Sequence, residues 1–292
     1  MTIALTVLLA VFVGISLGLL GGGGSILTVP LLVYVAGLDP KPAIATSLLV
    51  VGVTGAIGAI GHARAGRVWW RTAAAFGLAA IVGAYAGGRL ARFVPGTILM
   101  IAFALIMIVA AAAMLRGRTA STATPGRQHL PMVKIAVLGT AVGMVSGLVG
   151  AGGGFLLVPA LALLAGLPMT AAVGTSLVVI AMQSFAGLAA HLADEPIDWR
   201  LAAVVTAAAV LGAILGGRLS SMVDANALRT MFGWFVLVMA SVILAEEAGP
   251  EVGLTAAGIT LCAAGVYTIC RRTTHCPLRR LASRAQAGAA AA

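Results

Sequence analysis

Charged residues are scarce in this chain: Asp, Glu, Lys and Arg make up 9% of its 292 residues, whereas hydrophobic residues make up 61%. So few charges cannot cover the surface of a soluble protein of this length. The charged residues are also clustered, and long stretches such as 42–61 and 135–193 contain none of them. Because a helix of about 20 apolar residues crosses the hydrocarbon core of a bilayer, the sequence predicts an all-α polytopic membrane protein.

Features of several pump and enzyme classes are also missing from the sequence. No acidic residue falls within the predicted spans, so the carboxylates of many cation relays are absent. No GxxxxGK[ST] motif is present, which gives no support to ATP-driven transport within this chain. The segment from Cys270 to Cys276 contains metal-ligating residue types, but it lacks the spacing and ligand number of a structural zinc site. We therefore expect no metal, no cofactor and no enzymatic activity.

An internal repeat organises the sequence. A shift of 129 residues aligns 32 identical residues within the 77 positions of 14–90. The matches include the segments GLLGGGGSILTVPLL and GLVGAGGGFLLVPAL, and His62 aligns with His191. A composition rich in Ala, Gly, Leu and Val raises the number of chance matches, but it does not explain coincident histidine, tryptophan and arginine. The chain is therefore predicted to contain two copies of one membrane unit.

Each copy is predicted to contain the same five helical pieces. A helix (3–20; 133–149) leads into a glycine cluster, a short helix follows (26–36; 155–165), and three long helices complete the unit (43–61, 70–91, 96–115; 172–191, 199–219, 227–245). The short helix reaches only about half of the ~30 Å core at 1.5 Å per residue, which favours a helical hairpin broken at the glycines. If both pieces instead span with tilt, the pair still adds an even number of crossings. The predicted domains are a first transmembrane repeat (1–115), a cytoplasmic linker (116–132), a second transmembrane repeat (133–246), an extra transmembrane helix (252–270) and a basic cytoplasmic tail (271–292).

Loop charges predict the orientation of the two repeats. Each repeat crosses the membrane an odd number of times, so consecutive repeats have inverted topology. A cytoplasmic linker then places 14 of the 18 basic residues inside and seven of the eight acidic residues outside, in agreement with the positive-inside rule. The N-terminus is predicted to be periplasmic and the C-terminus cytoplasmic. Arg89 and Arg92 do not fit this pattern, because the topology places them outside with no acidic residue beside them.

Two glycine clusters interrupt the apolar sequence at equivalent positions. In lipid, such breaks persist only where they are buried in protein or line a wet cavity. The first N–H groups of the helix after a break have no intrahelical partner, and together with the helix dipole they favour an anion. Close helix packing is the alternative explanation, but two clusters, each with a proline five residues later, favour the anion site. The predicted substrate-binding residues here are Gly21, Gly22, Gly23, Gly24, Ser25, Gly150, Ala151, Gly152, Gly153 and Gly154.

Other polar side chains near the predicted spans are candidates for the same site. Gln183 is an amide within a long apolar span, so it either lines the pathway or joins helices by hydrogen bonds. Hydroxyl groups near the start of the next long helix could donate to the anion, or they could bond back to their own helices. These hydroxyls belong to Thr46, Ser47, Thr175 and Ser176.

Repeated cationic and titratable residues lie near the helix ends. His62 and His191 are candidates for gating or proton coupling, although anchoring at the membrane interface is the simpler interpretation. Arg89 and Arg218, each within a GGRL segment, could attract an anion at a vestibule. As cations at helix C-termini they also complement the helix dipole and snorkel to the interface, which is the commoner role.

The paired motifs carry a family resemblance. Tandem GLLGxGGG-xxx-VP segments, each followed by an AxxTSL helix and later by GxxxGGRL, resemble the sulfite exporter TauE/SafE family, the four-toluene-sulfonate uptake permease group of bacterial inner-membrane carriers. The resemblance covers about 14–245. It implies secondary transport of small sulfur-containing anions, such as sulfite, sulfoacetate or related organosulfonates, with export as the best-known direction. It also implies a substrate site at the glycine clusters and the paired Thr-Ser hydroxyls. The extra C-terminal span and Ser25 depart from the family pattern.

The sequence and the resemblance together predict an inner-membrane carrier. Two half-helix N-termini would hold the anion at the midplane, and the repeats would rock around it. A channel for the same anions and a membrane anchor subunit of an enzyme are the alternatives, although the spans contain no paired acids or metal-ligand cluster. The expected partners are the small anion and the lipid bilayer. An oligomer of this chain is compatible with the sequence, and no nucleic acid is expected.

Overall fold

The computed structural model describes residues 2–20, 23–115, 132–150, 169–192, 194–219 and 225–249, together with Gly154, Leu157, Val158, Leu161, Leu167, Glu251, Thr255 and Gly258. Every regular element in these ranges is helical. The predicted linker up to residue 131, most of the predicted extra helix and the basic tail lie outside the described residues. The same holds for five residues of the predicted site, namely Gly21, Gly22, Ala151, Gly152 and Gly153.

The helices follow the apolar stretches of the sequence, and most helix ends lie within three residues of the predicted positions. The first half contains α1 (Thr2–Leu20), a short helix that includes α2 (Thr28–Pro30), α3 (Pro40–Arg64), α4 (Trp70–Ala91) and α5 (Gly96–Leu115). The second half contains α6 (Met132–Val149), α7 (Met169–His191), α8 (Trp199–Leu219) and α9 (Ala225–Ala248). Four stretches of the described chain are long and apolar enough to cross a membrane: Pro40–Arg64, Trp70–Ala91, Ala171–His191 and Trp199–Leu219.

The short helix after the first glycine cluster is irregular along its length. It begins as a 3-10 turn at Gly23–Leu27, passes through α2 and continues as a π turn at Leu31–Val35. Pro30 explains the change of winding, because proline has no N–H group and its ring clashes with the carbonyl one turn earlier. The prediction of a uniform helix over 26–36 is therefore corrected to a helical segment from residue 23 to residue 35 with three different windings.

Helices α3 and α7 occupy equivalent positions in the two repeats and pack against each other in opposite directions. A Cβ added to Gly52 would lie 3.3 Å from Ser184, whereas one added to Gly58 would lie 3.5 Å from Leu177. Positions further along α3 thus contact positions earlier along α7. Helix α4 packs on α7, and its repeat equivalent α8 packs on α3. The central pair is therefore flanked on both sides by equivalent neighbours.

Two close helix crossings hold the outer helices of one half against the other half. Helix α1 crosses α8, and helix α6 crosses α4. A Cβ added to Gly14 or Gly18 would overlap carbonyl oxygens of α8, and one added to Gly143 or Gly147 would overlap carbonyl oxygens of α4. These glycines allow the backbones to approach closely, as small residues do between membrane helices. The close packing that was the alternative role of the cluster glycines is thus present at these four positions outside the clusters, and also at Gly24 within the first cluster.

The large apolar side chains divide between an interior and an outer surface. One buried cluster joins Leu17 of α1 with Leu157 and Leu161 and with Leu177 and Ile180 of α7. Other large apolar side chains are exposed, as a lipid-facing surface requires. The chain divides into two compact units, Met1–Ala240 and Ser241–Ala292. The buried cluster and both helix crossings belong to the first unit, and the described part of the second is the end of α9 with three single residues.

Candidate functional site

A direct hydrogen bond joins a predicted hydroxyl of the first repeat to the glycine break of the second. Ser47 lies near the start of α3 and is completely buried. Its hydroxyl donates to the carbonyl oxygen of Gly150 over 2.8 Å. Gly150 has a positive φ of 74°, which glycine adopts without strain. A Cβ at this position would also lie 2.7 Å from Ile44, so the break needs glycine for both its conformation and its close contact with α3.

The first glycine break packs against its own repeat. A Cβ added to Gly24 would overlap the carbonyl oxygen of Val13 and approach the backbone nitrogen of Leu17. Ser25, the next residue, is fully buried. The described neighbours of Gly24 thus lie on α1, whereas those of Gly150 lie on α3. Since five cluster residues lie outside the described part, convergence of the two breaks on one point stays a prediction.

The remaining predicted hydroxyls have different local environments. Thr175 accepts a hydrogen bond of 3.1 Å from the backbone N–H of Trp69, so it ties the start of α7 to the turn before α4. Ser176 donates to the carbonyl of Val173 in its own helix, which is the back-bonding that was considered as an alternative. Thr46 is buried, and its Oγ1 has no hydrogen-bond partner within the described part. The structure thus places two of these hydroxyls in structural bonds and leaves Thr46 available to a polar ligand.

Gln183 lies on α7, one of the two central helices. It is fully buried, as are Ser184 beside it and Thr54, its repeat equivalent on α3. The hydroxyls of Thr54 and Ser184 have no hydrogen-bond partner in the described ranges. Buried hydroxyls without partners are costly in an apolar environment. The α3–α7 pair therefore carries buried hydroxyls that water or a small polar ligand would satisfy.

One end of the α3–α7 pair is tightly closed. His191, at the end of α7, is buried, and its Nε2 lies 2.9 Å from the carbonyl oxygen of Gly147 on α6. A carbonyl oxygen only accepts, so this bond requires the proton on Nε2. A Cβ added to Gly88 of α4 would lie 2.7 Å from Ala190 and 3.3 Å from His191. His191 therefore fastens three helices together, and its anchoring at the membrane interface stays a prediction.

An ion pair lies at the same end of the molecule. The guanidinium of Arg89 contacts the carboxylate of Asp194 over 3.0 Å, and each side chain is 34% exposed. The expectation that Arg89 has no acidic residue beside it is therefore wrong. The acid lies 105 residues away in sequence, and packing of α4 on α7 brings the two together. The ion pair thus supplies an acidic neighbour for Arg89, one of the two arginines that the predicted topology places outside the membrane.

The opposite end of the α3–α7 pair contains a cavity of about 380 Å³. Cationic or titratable side chains line one part of it, and small residues of α1, α3 and α8 line much of the rest. The lining residues used below are Gly18, Gly58, Gly61, His62, Arg64, Arg67, Gly217 and Arg218. Of these, the sequence indicated only His62 and Arg218. Arg64 and Arg67 were detectable as differences between repeats, since Ala193 and Pro196 occupy the equivalent positions.

The two ends therefore differ although their residues are equivalent in sequence. Gly217 is the equivalent of Gly88, and an added Cβ there would meet no described atom within 4 Å. His62 is the equivalent of His191, but its Nδ1 is buried with no hydrogen-bond partner within the described part. The described residues contain no group of three or more His, Cys, Asp or Glu that could hold a metal ion. The arrangement consists of a polar interior with one closed end and one open end.

Comparison with known proteins finds one family and several relatives of the chain. A model of the family described as "Sulfite exporter TauE/SafE" matches residues 6–243. A protein of Xylella fastidiosa named "Probable membrane transporter protein" is 36% identical over 239 residues, which cover 80% of this chain and 91% of the relative. YunE of Bacillus subtilis, also named a probable membrane transporter protein, is 27% identical over 248 residues, which cover 77% and 89%.

A further relative is similar over a smaller share of its own length. MJ0441 of Methanocaldococcus jannaschii, again named a probable membrane transporter protein, is 30% identical over 195 residues, which cover 64% of this chain and 72% of the relative. No solved structure matches the chain. The family match extends from α1 to near the end of α9 and thus includes both glycine breaks and both ends of the α3–α7 pair. The chain is a multi-pass membrane protein that belongs to the sulfite exporter TauE/SafE family of membrane transporters.

Proposed function

We propose that the protein is a secondary transporter of small sulfur-containing anions, such as sulfite, sulfoacetate or related organosulfonates. It exports them across the bacterial inner membrane by alternating access. The family match and the names of the relatives support a membrane transporter. The choice of sulfur-containing anions follows the name of the family, and the polar interior is compatible with a small oxyanion.

The difference between the two ends of the α3–α7 pair is the observation that carries the proposal. The end at His191 is closed by contacts with Gly88 and Gly147, while the end at His62 has a cavity. A carrier exposes its binding site to one side at a time, so one closed and one open end are expected of it. A channel needs a path that is open at both ends during conduction, so this conformation favours a carrier.

Helix packing supports an inverted-repeat architecture. The equivalent helices α3 and α7 run in opposite directions, and the α1–α8 crossing has its repeat equivalent in the α4–α6 crossing. Inverted repeats are a common basis of alternating access, because exchange of the conformations of the two halves converts one open side into the other. With the basic loops inside, the cavity faces the cytoplasm, and the N-terminus is periplasmic.

The proposed substrate site lies between the glycine breaks and the α3–α7 interface. Backbone N–H groups at the two breaks would supply most of the donors, with Thr46 and Gln183 as side-chain candidates. Neutral donors suit a site that must release its ligand. An anion held by a buried cation would be bound tightly and would leave the charged site unpaired after release.

Reconstitution tests this function directly. Proteoliposomes containing the full chain are loaded with unlabelled sulfite, and uptake of external radiolabelled sulfite is followed against empty liposomes. A carrier gives transient accumulation of label above equilibrium, because unlabelled substrate drives exchange. A channel gives equilibration without this overshoot. Absence of saturable flux for sulfite, sulfoacetate and related sulfonates would exclude the substrate class and would leave the role of a membrane anchor.

Replacement of Ser47 by alanine tests the role of the junction at the second break. The variant loses the hydrogen bond to the Gly150 carbonyl, which costs about 1–3 kcal/mol if that buried acceptor is left unsatisfied. We expect a transport rate at least about fivefold lower, since about 1 kcal/mol of distortion at the break has this effect. Ser176→Ala is the matched control, because Ser176 bonds within its own helix. Equal rates for the two variants would contradict the proposed role of Ser47.

A further inference from the structure

Three guanidinium groups are assembled around the cavity at the His62 end. Arg64 lies at the end of α3, Arg67 lies in the turn that follows, and Arg218 approaches from α8. The residues that line the cavity in the described part include no acidic side chain. All three arginines are exposed, and a cleft lined by charges of one sign attracts ions of the opposite sign. The cavity is thus electrostatically suited to an anion.

Small residues give the same cavity room for an anion and some of its water. Gly61 and Gly217 line it, and a Cβ added to either would meet no atom within 4 Å. The volume of about 380 Å³ corresponds to about a dozen water molecules at ~30 Å³ each. A small oxyanion therefore fits with part of its hydration shell. Since the anion keeps some of its water, binding here avoids much of the desolvation that a fully buried site demands.

A polar atom within the cavity wall needs a partner. The Nδ1 atom of His62 is buried and has no hydrogen-bond partner in the described part of the chain. His62 lines the cavity, and a turn of its ring that brings the buried Nδ1 to the cavity would let an oxyanion or its bound water supply that partner. A ring nitrogen that carries its proton donates to an oxyanion, and one without the proton accepts from water. This atom is an indication of a ligand that is independent of the arginine charges.

The repeat shows that this arrangement is specific to one end of the molecule. At the other end, Ala193 and Pro196 occupy the positions equivalent to Arg64 and Arg67. Asp194 occupies the position equivalent to Ala65, and it pairs with Arg89. The positive-inside rule explains an excess of arginine in cytoplasmic loops. It does not explain why arginines from two separate elements line one cavity.

We propose that this cavity is a binding subsite for a small, doubly charged oxyanion, with Arg64, Arg67 and Arg218 as its cationic ligands and His62 as a hydrogen-bond partner. The guanidinium group presents several planar donors, which match two oxygens of one oxyanion. The subsite selects a dianion over chloride, because the Coulomb attraction doubles with the ligand charge. It concentrates the anion at the face from which the carrier loads. This inference rests on the proposed function only in treating the bound anion as the one that is transported.

Protection of a cysteine placed in the cavity tests the subsite with sulfate as the probe. Cys262, Cys270 and Cys276 are first replaced by serine in the full chain. Gly217→Cys then reports on the cavity, and Ala65→Cys reports on the exposed turn of the same end outside the cavity lining. The purified protein is treated with an uncharged maleimide while sulfate replaces chloride at constant ionic strength. We expect sulfate to slow labelling of Gly217→Cys at least about threefold at saturation, because an occupied cavity admits the reagent less often.

Charge variants in the Gly217→Cys background show whether the arginines hold the sulfate. In Arg64→Gln/Arg67→Gln, the sulfate concentration for half-maximal protection should rise about tenfold, as two weakened charge contacts of up to ~1 kcal/mol each allow. Arg64→Lys/Arg67→Lys keeps the charges and should retain most of the protection. This control shows that the loss in the glutamine variant comes from the missing charges and not from misfolding. Arg71→Gln removes a nearby charge that does not line the cavity and should change the value less than about twofold.

Three outcomes would overturn the subsite. They are equal labelling of Gly217→Cys in sulfate and chloride, equal slowing at Ala65→Cys, and an Arg71→Gln effect as large as that of the double variant. Flux of radiolabelled sulfite in proteoliposomes separates this proposal from the proposed function. Protection without flux of any sulfur-containing anion supports the subsite and excludes the transport function. Flux without protection supports transport and excludes the subsite.

Discussion

A matched pair of glycine substitutions tests whether the two ends of the α3–α7 pair exchange their conformations. Gly88 and Gly217 occupy equivalent positions on α4 and α8, but within the described part of the chain only a Cβ added to Gly88 would meet close neighbours. A Cβ added to Gly88 would lie 2.7 Å from the Cβ of Ala190 and 3.2 Å from the carbonyl oxygen of Gly187. Carbon atoms in ordinary contact are about 3.5–4.0 Å apart, so Gly88→Ala requires α4 and α7 to separate.

The magnitude follows from two opposing effects. Overpacking of a close contact costs about 1–3 kcal/mol, whereas alanine in place of glycine within a helix contributes about 1 kcal/mol in the favourable direction. Gly88→Ala should therefore destabilise the closed end by up to ~2 kcal/mol. Gly217→Ala meets no atom within 4 Å and should stabilise the present conformation by up to ~1 kcal/mol. The two variants thus change stability in opposite directions.

Hydrogen–deuterium exchange and thermal unfolding measure these effects in the purified protein. We expect faster exchange in the segment 187–192 and a lower melting temperature for Gly88→Ala, because closed-state contacts limit local opening. Gly217→Ala should melt at the same or a higher temperature. If both variants melt higher by the same amount and exchange in 187–192 is unchanged, the reasoning about the closed end is refuted.

A larger side chain extends the test to transport. Gly217→Leu fits into the cavity of about 380 Å³, but it has no room if that end closes as the His191 end does. The variant should stay folded and lose most of its sulfite flux, since about 2–3 kcal/mol against one state lowers its population by about 30- to 150-fold. Normal flux for Gly217→Leu would show that this end does not close during transport.

Two further matched comparisons test the helix contacts. Gly143→Ala places a methyl group against the carbonyl oxygen of Ala80 in the α4–α6 crossing, so we expect a large loss of folded protein in size-exclusion chromatography. Gly61→Ala, whose methyl group meets no described atom within 4 Å, should fold normally. Equal yields of the two variants would contradict the close crossing. Thr175→Val removes a hydrogen-bond acceptor and should lower the free energy of unfolding by about 0.5–1.5 kcal/mol. Thr46→Val removes a hydroxyl without a partner in the described part, so it should leave the melting temperature unchanged or raise it. A larger loss of stability for Thr46→Val would show that its hydroxyl has a structural bond.

Much of the helix pattern could be predicted from sequence because each long helix coincides with a charge-free apolar stretch. The repeat also defined equivalent residues in advance, including the two histidines and the Thr-Ser pairs. For the short helix, the sequence predicted the position but not the changes of winding. A run of apolar residues carries no signal for 3-10 or π winding, and the consequence of Pro30 depends on how the flanking turns pack.

Tertiary contacts explain what the sequence could not supply. Arg89 and Asp194 lie on different repeats, so their pairing became visible only when α4 was placed against α7. Equivalence in sequence also suggested equal roles for His62 and His191, whereas one is bonded and the other lines a cavity. A repeat specifies matching residues, but a transporter in one conformation places those residues in different environments.

The crossings between α1 and α8 and between α4 and α6 have a consequence for biosynthesis. Each half contributes an outer helix that packs on the other half, so α1 meets its partner α8 only after about 200 further residues have been added. At a synthesis rate of roughly 5–20 residues per second, α1 waits at least about ten seconds in the bilayer without that partner. A truncated chain that ends before α8 therefore leaves α1 unpaired, and neither half assembles its native contacts alone. The two halves should regain a native fold only when they are produced together in the same membrane.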